Sequence, residues 1–398
     1  MIKNTNIVIF GLQPWDIQIG SNCKNIALEL SKHNRVIYVN RPLDRINWLK
    51  RKKNLISQNR MAVLNKKKEP LEQINENLQV LTPTVIMESV QWLNSTSLFQ
   101  YLTKKNSQKL AKNIKHSLDE LDIKKFILFN DSAMFQGVEL KKILQPDLFI
   151  YYIRDYLIAQ PYFKKHGAEA EKKLIKQADW VVTNSTYLAS YAKKHNKNSF
   201  FIGQGCDLDL FQPQEIKAIP PALEAIKSPI IGYVGNLTSQ RLDIDLLVHL
   251  AKSNPNWSLV LVGGEDEMFE KSRLHTLDNV HFLGFQKPET LPAFIHGFDI
   301  CINPQLLNEM SMGNYPRKID EYLAMGKPVV ATKTEGMLMF ADHVSLALDK
   351  HEFEQKIEQL LKNNSTELSE ERIKFANSHS WENSINIMAA LLPNYYLQ

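Results

Sequence analysis

Cysteine is scarce in this chain of 398 residues, which contains only Cys23, Cys206 and Cys301. The three lie far apart in the sequence and none belongs to a CxxC pair, so they indicate neither a disulfide framework nor a zinc site. We expect each of them to be a small buried apolar residue. The composition, 44% hydrophobic and 23% charged, is otherwise that of a globular protein long enough for two domains.

Long apolar stretches are also missing. No run of 18 apolar residues occurs, and the N-terminal segment MIKNTNIVIFGL has too short an apolar run for a signal peptide. We therefore expect a soluble, cytoplasmic protein, and peripheral attachment to the inner face of a membrane stays open.

The common motifs of nucleotide-binding and hydrolytic enzymes are absent as well. The sequence contains no GxGxxG, GxxxxGK[ST], HExxH or GxSxG pattern. These absences disfavour nicotinamide and P-loop chemistry.

Charge is distributed unevenly along the chain. Residues 1–210 hold 32 Lys and Arg against 19 Asp and Glu, a net charge of +13, which leaves −8 for the remainder because the whole chain carries +5. Basic clusters at 49–54, 65–70 and 103–116 could attract an anionic membrane surface, and solvated helix faces are the alternative explanation. The lysine runs lack interleaved aromatic residues, so we expect no nucleic-acid partner.

Short β-branched or aromatic runs alternate with helical segments in both halves of the chain. This alternation predicts an α/β fold with two parallel-sheet domains. We predict an N-terminal domain at 1–210, a linker at 211–228, a second domain at 229–375, and a C-terminal helix at 376–398 that can pack back on the first domain. Residues 45–77 are polar and lysine-rich and interrupt the alternation. We expect them to form a mobile excursion with some helix, and the sequence assigns them no further role.

Ligands of parallel α/β sheets bind at the carboxyl ends of the strands, so two such domains predict a central cleft between them. The candidate cleft residues are those that follow the predicted strands. They are residues 11–16, Asn130, Asp131, Arg154, Asp155, Asn184, Ser185 and residues 203–207 in the first half, and Gly235, Asn236, Gly263, Gly264, Phe285 and Asn303 in the second.

The stretch NYPRKIDEYLAMGKPVV, residues 314–330, predicts a helix that starts near Pro316 and ends at Gly326. Arg317 and Lys318 occupy its first turn, where the helix macrodipole disfavours cations, and a bound anion would explain them. Glu321 lies one turn further and could accept hydrogen bonds from a ribose diol. The alternative is an ordinary surface ion pair with Arg317.

Five stretches, taken in order, resemble GT-B glycosyltransferases of the group 1, family 4-like type, which include bacterial polysaccharide and teichuronic-acid-type enzymes. They are IGQGCDLDLFQP, IIGYVGNLTSQRLDIDLL, WSLVLVGG, VHFLGFQKPETLPAFIHGFDICINP and PRKIDEYLAMGKPVVAT. The resemblance is strong from 229 to 335 and weak in the first half. It implies two Rossmann-like domains, a UDP- or GDP-sugar donor, retaining transfer and no obligatory metal or other cofactor.

The resemblance also implies roles for individual residues. Arg241 and Lys318 would hold the diphosphate, Gly235 and Asn236 would allow close backbone approach, and Glu321 would bind the ribose hydroxyls. The remaining expected donor-site residues are Gly263, Phe285, Asn314 and Arg317.

The chain departs from the family pattern at one position. The family often has an acidic residue eight positions before the ribose-binding glutamate, where this chain has Gly313. Glu309, Asn314 or backbone N–H groups of this loop could replace it, so the identity of the donor sugar stays open.

The implied mechanism is a front-face transfer in which the leaving diphosphate helps to deprotonate the acceptor hydroxyl. Positioning and charge stabilisation then dominate catalysis. We place Asp155 and Asp131 nearest the acceptor, and a structural role at a strand end is an equal alternative for each.

The sequence therefore predicts a glycosyltransferase that moves a sugar from a nucleotide to a surface polysaccharide or lipid-linked glycan. Two alternatives remain: a nucleotide-sugar epimerase of the same architecture, and a non-catalytic GT-B partner subunit, the latter motivated by Gly313.

Overall fold

A computed structural model describes residues 2–17, 21–50 and 54–392 of the chain. The chain divides into two compact units, Met1–Gly203 with Trp381–Gln398, and Gln204–Ser380. Within the described ranges, no helix is both long and apolar enough to cross a membrane.

The first unit contains ten strands and nine α-helices among its described residues, numbered here along the whole chain. The strands are β1 (Asn6–Gly11), β2 (Arg35–Val39), β3 (Leu43–Asp44), β4 (Leu71–Asn75), β5 (Leu78–Leu81), β6 (Ile86–Met87), β7 (Ile127–Asp131), β8 (Leu148–Ile153), β9 (Trp180–Thr183) and β10 (Ser199–Phe201). The helices are α1 (Asn22–Ser31), α2 (Arg45–Leu49), α3 (Leu55–Leu64), α4 (Thr96–Glu120), α5 (Leu140–Leu144), α6 (Pro161–Lys164), α7 (Gly167–Gln177), α8 (Thr186–Lys193) and α17 (Trp381–Ala390).

Eight of these strands form one sheet in the order β10-β9-β8-β7-β1-β2-β5-β4, parallel except for the antiparallel pair β4–β5. Its central strands are nearly continuous apolar runs, such as NIVIFG and LFIYYI, because helices cover both faces. Val8 and Phe10 belong to the hydrophobic cluster on one face, and Ile7 and Ile9 to the cluster on the other.

The segment at 45–77 contributes α2, α3 and β4 to the first unit. The guanidinium of Arg60, 2% exposed, holds α3 in place through a 2.9 Å contact to the carboxylate of Asp16. The described residues of this stretch are therefore an integral part of the unit and not the separate excursion that the sequence predicts.

Helix α17 completes the core of the first unit. Trp381, Ile385 and Met388 are buried in the same hydrophobic cluster as Ile26 and Leu30 of α1. The chain therefore returns to its first unit after it has formed the second.

The second unit contains a six-stranded sheet, parallel throughout, in the order β13-β12-β11-β14-β15-β16. The strands are β11 (Ile230–Val234), β12 (Ser258–Val262), β13 (Val280–Phe282), β14 (Ile300–Asn303), β15 (Val329–Thr332) and β16 (Ser345–Ala347). The helices are α9 (Pro221–Glu224), α10 (Ile244–Ser253), α11 (Glu267–Glu270), α12 (Leu291–His296), α13 (Glu309–Met312), α14 (Lys318–Ala324), α15 (Lys350–Lys362) and α16 (Thr366–Asn377).

The division between the units lies at different residues from those we predicted. It follows Gly203 and Ser380, whereas the sequence suggested positions near 210 and 375. Phe211 and Leu223, which fall in the predicted linker, are buried in the core of the second unit.

Candidate functional site

Helix α14 is held with its first turn at the carboxyl end of β11. Its residues Ile319, Tyr322 and Leu323 are fully buried, and the Tyr322 hydroxyl accepts a 2.8 Å hydrogen bond from the backbone N–H of Val234. Gly326, at a φ of 70°, follows the helix. Arg317 precedes it, and no side chain caps its first turn.

Lys318 projects from this first turn against Tyr233. Its ammonium donates a hydrogen bond to the Tyr233 hydroxyl and lies 4.0 Å from the centroid of the tyrosine ring. Burial lowers the pKa of Lys318 to about 7; the carboxylate of Glu321 opposes this shift, and the charge of Arg241 adds to it. A cation held in this way gains from a nearby anion.

The backbone at Gly235 lies close to the Lys318 ammonium. Gly235 has a φ of 137°, and a Cβ at this position would lie 2.9 Å from Lys318 Nζ. Gly263 in turn packs on Gly235, since a Cβ there would lie 1.9 Å from the Gly235 carbonyl oxygen. We predicted that Gly235 permits close approach of a ligand, and the structure shows close approach of Lys318.

Glu321 lies one turn further along α14. Burial raises the pKa of its carboxyl, and the charges of Arg317 and Lys318 oppose that shift. The alternative of a surface ion pair with Arg317 is not observed, because no direct salt bridge joins these two side chains in the described part of the chain. The carboxylate therefore remains available to a hydroxyl donor.

Two further cations accompany Lys318. The buried Nε of Arg317 has no hydrogen-bond partner among the described residues. Arg241 is exposed, and its charge acts on both Lys318 and Tyr233. The structure thus brings together three of the predicted cations.

Hydrogen bonds join the two loops that lie near these cations. The backbone N–H of Leu306 donates to the Arg241 carbonyl at 2.8 Å, and the side-chain amide of Asn308 donates to the Gln240 carbonyl at 3.0 Å. Asn308 also caps α13, whose first residue is the exposed Glu309. Helix α13 and the following Gly313 and Asn314 are therefore anchored beside the Arg241 loop.

Two other predicted donor-site residues, Asn236 and Phe285, and the cleft candidate Asn303 lie at different positions in the second unit. Asn236 is exposed next to Gly235, and its carbonyl accepts a 3.4 Å hydrogen bond from the Tyr233 hydroxyl. Phe285 is 74% exposed beyond edge strand β13, with β12 between that strand and β11. Asn303 is fully buried at the end of β14.

The sequence did not single out Tyr233, beneath Lys318, or the buried carboxylate of Asp320. Asp320 accepts hydrogen bonds from the Tyr315 hydroxyl at 2.7 Å, His379 Nδ1 at 2.6 Å and the Cys206 thiol at 3.0 Å. These bonds position α14 from the side opposite Lys318. A carboxylate inside an otherwise apolar helix stripe is the signal that could have identified it.

In the first unit, the predicted carboxylates of Asp131 and Asp155 both lie near the guanidinium of Arg154. Asp131 is fully buried at the end of β7 and accepts a 2.9 Å hydrogen bond from Arg154 Nε. The Arg154 guanidinium lies 4.0 Å from the carboxylate of Asp155, which is 33% exposed. Burial disfavours the charged form of Arg154, but the two aspartates outweigh it and raise its pKa. Asp155 is thus the more accessible carboxylate of the pair.

Comparison with known proteins gives a family match within the second unit. Residues 228–363 match the family described as "Glycosyl transferases group 1". This part of the second unit is similar to the members of that family. This finding confirms the family predicted from the sequence.

One curated relative is the "Putative teichuronic acid biosynthesis glycosyltransferase TuaH" of Bacillus subtilis (strain 168), which is 27% identical over 171 residues. The match covers 41% of this chain and 42% of that protein, less than half of either.

Solved structures resemble the whole chain. Sucrose-phosphate synthase from Thermosynechococcus elongatus has a TM-score of 0.65 and 16% identity, with 98% of each chain covered. Anabaena Alr3699/HepE in complex with UDP has a TM-score of 0.64 and 15% identity, with 98% of this chain and 100% of that chain covered. A third structure, described as "Trehalose-6-phosphate from E. coli bound with UDP-2-fluoro glucose", has a TM-score of 0.67 and 11% identity, with 97% of this chain and 99% of that chain covered. The predicted α/β class, GT-B with two Rossmann-like parallel-sheet units, is confirmed.

Proposed function

We propose that this protein is a retaining glycosyltransferase that moves a sugar from a nucleotide-diphosphate sugar to a surface polysaccharide or lipid-linked glycan. The observation that carries the proposal is the convergence of Lys318, Arg317 and Arg241 at the start of α14, with the carboxylate of Glu321 one turn away. Cations at a helix start suit a diphosphate, and a carboxylate at that distance suits a ribose diol.

UDP is the nucleotide that the comparisons favour. The HepE structures contain UDP, UDP with glucose, and UDP-glucose. GDP is the alternative, since nothing in the Lys318 cluster distinguishes the bases. Phe285, exposed after β13, is the aromatic side chain we propose to lie against the base.

Catalysis would depend on charge stabilisation. Lys318 and Arg241 would neutralise the charge that develops on the leaving diphosphate, and such preorganised groups commonly supply the largest share of a rate enhancement. The cations come from the protein, so the proposal requires no metal ion at the diphosphate. Glu309, Asn314 or backbone N–H groups near Gly313 would contact the donor sugar.

Donor binding should depend on pH because Lys318 has a pKa of about 7 in the free protein. A bound diphosphate favours the charged ammonium, so above pH 7 binding takes up a proton. We expect the dissociation constant for UDP-glucose to rise with pH, approaching tenfold per unit between pH 7.5 and 8.5, roughly the limit for uptake of one proton. Isothermal titration calorimetry in buffers of different ionisation enthalpy measures both the dissociation constant and the number of protons taken up on binding.

Two variants serve as controls for this experiment. Lys318→Met should bind more weakly with no pH dependence over this range, and Glu321→Ala should bind more weakly but keep the wild-type slope. A wild-type affinity that does not change from pH 6.5 to 8.5 would remove Lys318 from the site. Absence of binding by any nucleotide sugar would favour the non-catalytic subunit, and conversion of the donor without an acceptor would favour the epimerase.

The first unit is proposed to hold the acceptor, with Asp155 as its closest carboxylate. Two aromatic residues near the start of α4 are exposed, and the ammonium of Lys105 lies 4.5 Å from the ring centroid of one of them, Tyr101. Trp92 is 68% exposed and Tyr101 53% exposed. Tyr101, Lys104 and Lys165 line the same groove of about 940 Å³. Aromatic side chains next to lysines suit the interface of an anionic membrane, where lipid-linked acceptors reside.

Vesicle binding checks this part of the proposal. The protein should float with phosphatidylglycerol-containing vesicles at low salt and be released as salt rises, because each cation near the surface contributes about 1 kcal/mol. Trp92→Ala combined with Lys104→Glu should reduce binding, whereas Lys350→Glu in the second unit should not. Equal binding to neutral vesicles would contradict an electrostatic attachment.

A further inference from the structure

Helices α10 and α15 of the second unit bring together three side chains of types that can ligate a metal ion. His249 belongs to α10, and His351 and Glu354 belong to α15. His351 and Glu354 are three residues apart on one helix and therefore share a face. One potential ligand atom from each of the three side chains lies within 4.8 Å of the others.

The contacts within the set are already close to those of a metal centre. His249 Nε2 lies 2.9 Å from Glu354 Oε2, and the two histidine rings are 5.0 Å apart between centroids. Ligand atoms around a tetrahedral zinc ion are about 3.4 Å apart, given its bond lengths of about 2.0 to 2.1 Å. Binding of one ion by all three would require the ligand atoms, now within 4.8 Å of one another, to move to that spacing.

A fourth residue orients the carboxylate. The side-chain amide of Asn254 donates a 2.7 Å hydrogen bond to Glu354 Oε1, the oxygen that does not face His249. Hydrogen bonds of this kind fix ligating carboxylates in known metal sites. His351 is exposed, so an ion can reach the set from solvent.

We propose that His249, His351 and Glu354 bind one divalent cation of the zinc class. Two imidazoles and a carboxylate suit zinc, and they also suit copper and nickel better than magnesium or calcium. A fourth coordination position remains for water. The ion would join α10 to α15 in place of the His249–Glu354 hydrogen bond.

The position of the set assigns this ion a structural role. The residues of α10 and α15 that face the sheet, such as Leu247 and Phe353, belong to one hydrophobic cluster, whereas Ile319 and Tyr322 of α14 belong to the cluster on the other face. The zinc would therefore raise the stability of the second unit and leave nucleotide affinity unchanged.

Zinc titration of the full, tag-free chain after removal of metals with EDTA tests the inference. We expect one zinc ion per chain, an unfolding midpoint that rises with zinc concentration, and a visible spectrum of low-symmetry Co²⁺ when cobalt replaces zinc. His351→Gln should weaken binding at least tenfold, as even the loss of a residue behind a ligand costs about 10- to 100-fold. Its unfolding midpoint in EDTA should equal that of the wild type, because the ring is exposed.

His275→Gln is the matched control. His275 Nε2 also faces a carboxylate, that of Glu265 at 2.8 Å, but this pair is not part of the three-residue set. The control should bind zinc as the wild type does. The inference is overturned if no single equivalent of zinc binds, if the two variants lose affinity equally, or if zinc removal abolishes nucleotide binding.

Discussion

Replacing Lys318 with methionine should lower the turnover of sugar transfer about a hundred- to a thousandfold, the range seen when one preorganised charge-stabilising group is removed. Methionine keeps the length of the side chain and its packing on Tyr233, so the losses are the charge and the hydrogen bond to the Tyr233 hydroxyl. Burial lowers the pKa of this lysine to about 7, so its charged form is less favourable in the folded protein than in the unfolded chain. The unfolding midpoint should therefore not fall when the charge is removed. Steady-state turnover at saturating donor, together with thermal unfolding, checks both statements.

Lys327 provides a matched comparison in the same unit. Its ammonium is also partly buried and donates a 2.7 Å hydrogen bond to the His296 carbonyl, and burial lowers its pKa. Lys327→Met should therefore change turnover little. If Lys318→Met kept near wild-type turnover, the leaving diphosphate would have to be stabilised elsewhere.

The second large effect is expected in the first unit. Arg154→Met should destabilise that unit by about 3 to 5 kcal/mol, the usual cost of removing one partner of a buried ion pair. Asp131 is fully buried, its Oδ1 accepts from Arg154, and its Oδ2 has no hydrogen-bond partner within the described ranges. Urea unfolding followed by tryptophan fluorescence measures the loss, with each unit's transition fitted separately because two units need not unfold together.

A double variant separates the charge effect from lost packing. Arg154→Met with Asp131→Asn removes the unpaired charge and should recover most of the stability. Arg45→Met breaks an exposed pair with Glu88 and should have a much smaller effect. If the double variant were as unstable as Arg154→Met alone, packing of the guanidinium would be the main contribution.

The fold was predictable because its signals are local. Buried parallel strands are continuous apolar runs, and the α14 segment carries Pro316 before its start and Gly326 after its end. The domain boundary was not predictable in the same way. The proline-rich composition of 211–228 indicated a linker, but Phe211 and Leu223 pack into the second core, which only the tertiary structure shows.

The candidate site was partly predictable for the same reason. Arg317, Lys318 and Glu321 lie within one helical turn, so their grouping follows from sequence spacing. The contact of Lys318 with Tyr233 spans 85 residues, and that of Asp320 with His379 spans 59. No local sequence pattern indicates contacts between residues so far apart. The roles of the site residues remain predictions.

The return of α17 to the first unit constrains the order of folding. Trp381, Ile385 and Met388 fill the face of the first sheet beside α1, but the ribosome delivers them only after the whole second unit has been made. The second unit is continuous in sequence and can close its core without them. The N-terminal unit, although synthesised first, therefore leaves part of its apolar surface uncovered during translation, and it needs a contact across more than 300 residues to finish folding.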